Sequence, residues 1–143
     1  MSELDVLIRA ARASGDYDPV LAKLPYARFL GLSAQLEGAT VVLRLPFSPI
    51  LIGNTSLPSV HGGVVGAALE SAALLQLVHE RGLPFAKTID FTVDYLRVAR
   101  AEELYAVAEV QRIGKRIANV RMRAYQDQEH EPIALGRGNF LLG

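Results

Sequence analysis

Residues 62–81 read GGVVGAALESAALLQLVHER, and this stretch decides how the rest of the chain folds. We predict a helix over this stretch, in which Glu70 is the only ionisable residue between Gly62 and Val78. Apolar side chains occupy every face, which is typical of a helix buried on all sides. At about 1.5 Å per residue the helix is a rod about 30 Å long, so the remaining residues must wrap around it.

Alternating polar and apolar residues predict the strands that wrap the helix. The strand that begins near Thr88 has an apolar face of Ile89, Phe91, Val93 and Tyr95 and a polar face of Thr88, Asp90, Thr92 and Asp94. Segments 104–110 and 118–125 repeat the pattern, and a last strand is predicted over 133–142. This period of two indicates an antiparallel sheet with one buried face. Gly114 predicts a tight hairpin, because glycine tolerates a positive φ.

The residues before the long helix predict short helices and then two strands. Ser2 and Asp5 predict a capping box at the start of the first helix, and Asp18 is predicted to be the N-cap of a second one. Strands are predicted over 32–37 and 39–46. The predicted order is therefore β–β–α–β–β–β–β with N-terminal helices.

This order indicates one α+β domain over residues 1–143, in which residues 1–25 form a helical extension. The absence of cysteine excludes disulfides, zinc–thiolate sites and cysteine nucleophiles. The 15 basic and 15 acidic residues cancel, so no overall field favours a nucleic acid or an anionic membrane. The first 12 residues are not typical of a signal peptide, and the apolar run Val64–Leu69 is too short for a membrane span. We expect a cytoplasmic protein.

The segment His61-Gly62-Gly63 opens the long helix and is the first candidate site. The first turn of a helix presents unpaired N–H groups and a partial positive charge, which together suit a developing oxyanion. Two glycines allow a ligand or another backbone to approach closely. The alternative is a Gly-Gly turn that serves only to enter the helix.

Glu70 lies seven residues after Gly63, about two turns on, and so on the same face of the helix. A carboxylate in an otherwise apolar helix either reaches solvent or is buried with a partner. Such a group suits a general base or a nucleophile. The alternative is that glutamate is present only as a good helix former.

The segment His61–Ala72, followed by Thr88–Arg97, resembles the hotdog-fold acyl-CoA thioesterases, most closely those of the phenylacetate-pathway and 4-hydroxybenzoyl-CoA type. The resemblance runs from about Leu32 to the C-terminus. It implies a hotdog fold, in which an antiparallel sheet wraps one central helix, and this agrees with the order of elements above. It also implies hydrolysis of an acyl-CoA thioester. The three histidines lack metal-ligand spacing, so we expect no metal, and no cofactor is predicted.

The resemblance implies a role for each matching residue. The backbone N–H of Gly62, with Gly63 beside it, polarises the thioester carbonyl, and Glu70 is the general base or the nucleophile. Thr88 positions the water, and His61 orients the turn. The family often has an asparagine six residues before the histidine; here Asn54 lies seven before it, so its contact with the carbonyl oxygen is an open question.

A basic stripe supports a coenzyme A partner. Residues 97–123 contain seven basic and three acidic residues, and a cationic surface suits a phosphorylated ligand. The candidate coenzyme-binding residues are Arg97, Arg112, Lys115 and Arg116. The alternative is a solvated hairpin face.

One such sheet leaves an edge strand open and covers only part of the helix, so we expect a homodimer or a dimer of dimers. In the resembled family the glycine turn of one chain meets the carboxylate of the other. Two other functions stay open, a hydratase or dehydratase of acyl thioesters and a non-catalytic acyl-CoA-binding module. An apolar tunnel for the acyl group, or simply core, is predicted for Phe29, Leu30, Phe47, Ile50, Leu51 and Ile52.

Overall fold

A computed structural model describes residues 1–82 and 84–143. Three helices come first: α1 (Glu3–Ser14), α2 (Asp18–Leu21) and α3 (Pro25–Leu30). Four short strands follow: β1 (Ser33–Glu37), β2 (Thr40–Leu45), β3 (Ile52–Asn54) and β4 (Ser59–Val60), with a 3-10 turn at Pro49–Leu51. The long helix α4 (Gly62–Arg81) precedes β5 (Lys87–Tyr95), β6 (Leu104–Ile113), β7 (Ile117–Tyr125) and β8 (Ala134–Leu141).

Six of the strands form one antiparallel sheet in the order β1-β2-β6-β7-β8-β5. The sheet curls around α4, while β3 and β4 form a separate two-stranded hairpin just before that helix. The predicted α+β class and the sheet around a central helix are confirmed. The β3–β4 hairpin was not expected, since its segment is rich in proline and glycine.

Most of α4 is buried against the sheet, including Leu69, Ala72 and Leu77. By length and composition α4 is also apolar enough to cross a membrane, but it is the core helix of this fold. One stripe along the helix is only partly covered by the chain, and its members are Gly63, Ala67, Glu70, Ser71 and Leu74. We call this set the open stripe; it is the face that a second surface must cover if the helix is to be buried on all sides.

The N-terminal helices confirm one capping prediction and correct another. Ser2 and Asp5 form the expected capping box. The prediction that Asp18 caps the second helix is wrong, because Asp18 is the first residue of α2. Its carboxylate instead accepts a hydrogen bond of 2.9 Å from the N–H of Ala34 and so ties α2 to β1.

The strand β5 departs from simple alternation at Ile89. Thr88 pairs with Phe140 and Asp90 pairs with Asn139, so Ile89 is an extra residue, as in a β-bulge. The prediction that Ile89 faces the core is wrong, since its side chain is 51% exposed. Because of this extra residue, Thr88 lies on the same face as Phe91 and points towards α4.

The hairpin between β6 and β7 is where the sequence predicts it, but for a different reason. Gly114 has no positive φ. Its N–H donates a 2.8 Å hydrogen bond to the carbonyl of Ile117, and a Cβ at Gly114 would lie only 3.2 Å from that oxygen. Close approach of the backbone, rather than a left-handed conformation, favours glycine at this position.

Candidate active site

The turn that opens α4 is held by three hydrogen bonds, each of which involves His61. The imidazole Nδ1 of His61 accepts a 2.8 Å hydrogen bond from the N–H of Gly63, so the ring caps the helix and carries its proton on Nε2. The backbone N–H of His61 donates to the carbonyl of Leu51 at 2.8 Å, and the carbonyl of His61 accepts from Val64 at 2.9 Å.

These contacts leave one donor of the first turn free. Among residues 1–82 and 84–143, no group accepts a hydrogen bond from the N–H of Gly62. An unpaired N–H at the positive end of a 20-residue helix is a ready donor to a carbonyl oxygen or an oxyanion. His61 therefore shapes this turn through its Nδ1 atom, its backbone N–H and its carbonyl.

Glu70 and Thr88 meet on the open stripe. The hydroxyl of Thr88 donates a 2.6 Å hydrogen bond to Oε2 of Glu70. This short bond fixes the carboxylate as an acceptor and leaves its other oxygen without a protein partner in the described part of the chain. The bulge at Ile89 is what makes the contact possible, because simple alternation would turn Thr88 away from the helix.

Asn54 is engaged elsewhere in the structure. It ends β3, and its side-chain oxygen accepts hydrogen bonds from the N–H groups of Ser56 at 2.9 Å and Leu57 at 3.3 Å. The side chain therefore holds the 54–57 loop in shape. The structure gives it a local structural role and does not direct its oxygen at the glycine turn.

The four candidate coenzyme-binding residues do not lie together within one chain. Arg112, Lys115 and Arg116 are exposed at the β6–β7 hairpin. The register runs from Ile113 through Ala118 and Phe140 to Thr88, so this hairpin lies at the Thr88 end of the sheet. Arg97 follows β5 at the other end, where its guanidinium donates a 2.6 Å hydrogen bond to the carbonyl of Pro132.

The six residues predicted to form an apolar tunnel or core differ in burial. Leu30 and Leu51 are buried in the core, and Ile52 is half-buried. Phe29 and Ile50 are 63% and 67% exposed, and Phe47 is exposed as well. The exposed group is available to an apolar ligand or to a second chain, whereas the buried group is not.

Two residues that shape the site were missed at the level of sequence. The hydroxyl of Tyr95 donates a 2.7 Å hydrogen bond to the carbonyl of Gly62. Gly53 packs directly on His61, since a Cβ at Gly53 would lie 2.8 Å from the Cα of that histidine. The period-two pattern did place Tyr95 on the helix side of β5, which was the available signal; nothing in the sequence singled out Gly53.

A cleft of about 1070 Å³ lies away from these residues, where β2 separates from β6. Its lining includes Val42, Gln76, Val107 and Met122, and none of the predicted site residues. Within the described ranges, no group of three or more histidine, aspartate or glutamate side chains is placed to hold a metal ion.

Comparison with known proteins identifies the family. A family model described as the thioesterase superfamily matches residues 57–133, more than half of the chain. The chain belongs to the thioesterase superfamily. The matched region of this thioesterase contains the glycine turn, the whole of α4 and the strand that carries Thr88.

Individual relatives agree with this assignment. The medium/long-chain acyl-CoA thioesterase YigI of Escherichia coli (strain K12) is 30% identical over 135 residues, covering 84% of this chain and 86% of that protein. A crystal structure of a Chromobacterium violaceum protein is 33% identical, with a TM-score of 0.77, and covers 95% of this chain and 96% of the other. The E. coli PaaI protein from the phenylacetic acid degradation operon, at 20% identity, has the same fold, with a TM-score of 0.78 and coverage of 99% and 96%. The predicted hotdog fold and the prediction of a thioesterase are confirmed.

Proposed function

We propose that this thioesterase hydrolyses acyl-CoA to the free acid and coenzyme A. The observation that carries the proposal is the carboxylate of Glu70, held by the hydroxyl of Thr88 on the open stripe of α4. The same helix begins with the N–H of Gly62, for which the described part of the chain offers no acceptor. A fixed carboxylate and a fixed oxyanion donor are the two elements that water attack on a thioester needs.

In the proposed reaction the thioester oxygen accepts a hydrogen bond from Gly62, which polarises the carbonyl. Glu70 takes a proton from a water molecule as the oxygen of that water bonds to the carbonyl carbon. The oxyanion then collapses, the C–S bond breaks, and the proton on Glu70 passes to the departing thiolate. If Glu70 is instead the nucleophile, it displaces the thiolate to form a mixed anhydride, which water then hydrolyses.

The spacing along α4 supports a site shared by two chains. Gly62 and Glu70 are eight residues apart, so their backbones are separated by about 12 Å along the helix axis. A carbonyl oxygen and the water that attacks the same carbonyl lie within a few ångströms of each other. We infer that Gly62 of one chain acts with Glu70 of a second copy in a homodimer, or in a dimer of dimers.

The edge of the sheet supports the same assembly. β5 is the last strand in the sheet order, so its outer edge pairs with no strand in the described chain. An open edge with exposed apolar residues favours pairing with another copy. Because β5 also carries Thr88 and Tyr95, this pairing would bring two sets of site residues together.

The coenzyme and the acyl group have separate candidate surfaces. The cationic hairpin that contains Lys115 and Arg116 lies at the Thr88 end and suits the phosphates of coenzyme A. Arg97, at the end that carries Gly62 and Gly63, would meet the coenzyme only if two chains assemble. Exposed Phe29, Phe47 and Ile50 supply apolar surface for an acyl chain of medium or long length, the substrate class in the name of the E. coli relative.

A non-catalytic acyl-CoA-binding module is the second candidate. The observation that favours it is Asn54, whose side-chain oxygen is occupied by its own loop rather than by the glycine turn. A cytoplasmic location and the absence of a membrane or nucleic-acid partner stay predictions for both candidates.

A thiol-release assay on a panel from acetyl-CoA to palmitoyl-CoA, with one aromatic acyl-CoA and one enoyl-CoA, separates these functions when binding and enoyl-CoA hydration are measured on the same compounds. We expect turnover that rises towards medium or long chains. Binding of acyl-CoA without release of thiol would favour the binding module. Hydration of an enoyl-CoA without release of thiol would favour a hydratase.

A further inference from the structure

We propose that Tyr95 is a positioning residue that aims the N–H of Gly62 at the thioester carbonyl. The inference rests on the proposed function and adds a residue to its machinery. Tyr95 ends β5, and its hydroxyl donates a 2.7 Å hydrogen bond to the carbonyl oxygen of Gly62. The bond joins residues 33 positions apart and ties the edge strand to the first turn of α4.

The bond matters because of where Gly62 lies. The peptide before Gly62 contains its N–H and the carbonyl of His61, and that carbonyl accepts from Val64 and Val65. The peptide after Gly62 contains its carbonyl, held by Tyr95, and the N–H of Gly63, held by the His61 ring. Both peptides that flank the Cα of Gly62 are thus fixed, and the N–H of Gly62 is the group left free to act on a ligand.

Glycine at this position makes an external restraint necessary. Glycine explores φ and ψ more widely than other residues, so two successive glycines at a helix start give a turn with little stiffness of its own. The hydrogen bond from Tyr95 limits rotation of the Gly62–Gly63 peptide. This peptide shares the Cα of Gly62 with the peptide that carries the free N–H, so the bond also limits the directions in which that N–H can point. A pre-aimed donor stabilises an oxyanion more than one that must be ordered during the reaction.

Packing shows that the Tyr95 ring lies over this turn. A Cβ at Gly62 would lie 3.4 Å from the ring, and one at Gly66 would lie 3.7 Å from the hydroxyl. The side chain is 55% exposed, so core burial does not explain its presence. The ring and the small residues below it form a matched set that brings the hydroxyl to the Gly62 carbonyl.

The first test is Tyr95→Phe, which removes the hydroxyl and keeps the ring. We expect kcat for acyl-CoA to fall about tenfold with KM changed less than twofold, since loss of a direct oxyanion donor costs about 10²–10³ and this residue acts one bond away. The matched control is Tyr26→Phe, because Tyr26 is 56% exposed and no hydrogen bond of its hydroxyl is present in the described part of the chain. The control should keep wild-type kcat. An unchanged kcat in Tyr95→Phe would overturn the proposal.

The second test measures the carbonyl directly and does not depend on the fraction of protein that is folded. An acyl-CoA labelled with ¹³C at the thioester carbonyl is bound to Glu70→Gln, and its infrared frequency is compared with that of free acyl-CoA. We expect a lowered frequency on binding that returns part of the way in Glu70→Gln/Tyr95→Phe. A lowered frequency that the second substitution leaves in place would overturn the role of Tyr95. Lack of thiol release by the wild-type protein would instead overturn the proposed function.

Discussion

Both halves of α4 are largely apolar, but they differ in whether their polar groups have hydrogen-bond partners within the chain. In the C-terminal half, Gln76 accepts from the N–H of Val41 at 2.8 Å, and Nδ1 of His79 lies 2.6 Å from the hydroxyl of Tyr17. In the N-terminal half, the N–H of Gly62 has no acceptor among the described residues, and the carboxylate of Glu70 is only partly covered. The groups that the proposed reaction uses therefore lie at the end of α4 where the chain leaves hydrogen-bonding capacity open.

The largest expected effect is on kcat and comes from a substitution in the N-terminal half of α4. Glu70→Gln should lower kcat by about 10²–10⁴ and leave acyl-CoA affinity within a few-fold, because it removes a general base and keeps the shape of the side chain. Steady-state kinetics and calorimetric binding measure the two quantities. The matched control is Glu80→Gln on the C-terminal half of the same helix, which should keep wild-type kcat. Wild-type turnover in Glu70→Gln would make Glu70 a structural residue.

Mixed dimers test whether Gly62 of one chain acts with Glu70 of a second chain. Gly62→Pro removes the free N–H at a position where proline suits a helix start, and Glu70→Gln removes the carboxylate. Each variant alone should be nearly inactive, whereas an equal mixture should recover roughly a quarter of wild-type activity: half of the dimers are mixed, and each has one intact site of two. No recovery from folded, mixed chains would indicate that both groups act within one chain, and a monomer by light scattering would contradict the assembly itself.

The C-terminal half of α4, where His79 contacts Tyr17, should make a pH-dependent contribution to the free energy of unfolding. Burial raises the pKa of Tyr17 from 10.0 to about 12, and the positive charge of Arg12 opposes the shift in part. The folded state therefore holds the phenol proton more tightly than the unfolded state, so this stability is present below pH 10 and is lost as the pH rises towards about 12.

Chemical denaturation between pH 9 and pH 12 measures this loss, which should approach roughly 2–3 kcal/mol. Tyr17→Phe should flatten that part of the profile, while Tyr26→Phe, at an exposed tyrosine, should leave it unchanged. A Tyr17→Phe profile as steep as that of the wild type would assign the pH dependence to other groups.

The smallest expected effect concerns the proposed coenzyme surface at the Thr88 end of the sheet. Neutralising Lys115 and Arg116 to glutamine should raise KM for acyl-CoA several-fold and leave KM for a short thioester without the nucleotide almost unchanged, because exposed charge pairs contribute about 1 kcal/mol or less each. Arg9→Gln/Arg28→Gln, at exposed positions on the N-terminal helices, is the charge-matched control. Equal changes in KM for both substrates would remove these two residues from the coenzyme site.

The sequence was sufficient for the sheet around α4, because a continuously apolar stretch of 20 residues and a period of two over three strands both follow from burial. It was not sufficient for details that depend on distant partners. Asp18 bonds to Ala34 in β1, which a local capping rule does not include. Arg97 is separated from Lys115 by the register of the sheet, which follows from pairing rather than from position in the chain.

Some residues of the candidate site could also be predicted from the sequence, whereas others depend on contacts between distant parts of the chain. His61, the two glycines after it and Glu70 were found because they lie close together in sequence on one helix. The contact between Thr88 and Glu70 depends on a bulge whose extra residue is an apolar isoleucine, the residue type expected in an unbroken strand. Tyr95 lay on the helix side of β5 in the pattern, yet its role follows only from the position of its hydroxyl.

The bulge at Ile89 also has a consequence for protein engineering. A regular strand cannot show a hydroxyl and an aromatic residue three positions apart on the same face, because successive side chains alternate. One inserted residue turns Thr88 inwards and leaves the residues from Phe91 onwards in their original register. Designers who wish to add a polar catalytic helper to the apolar side of a strand can insert a single residue at its end, and need not redesign the sheet.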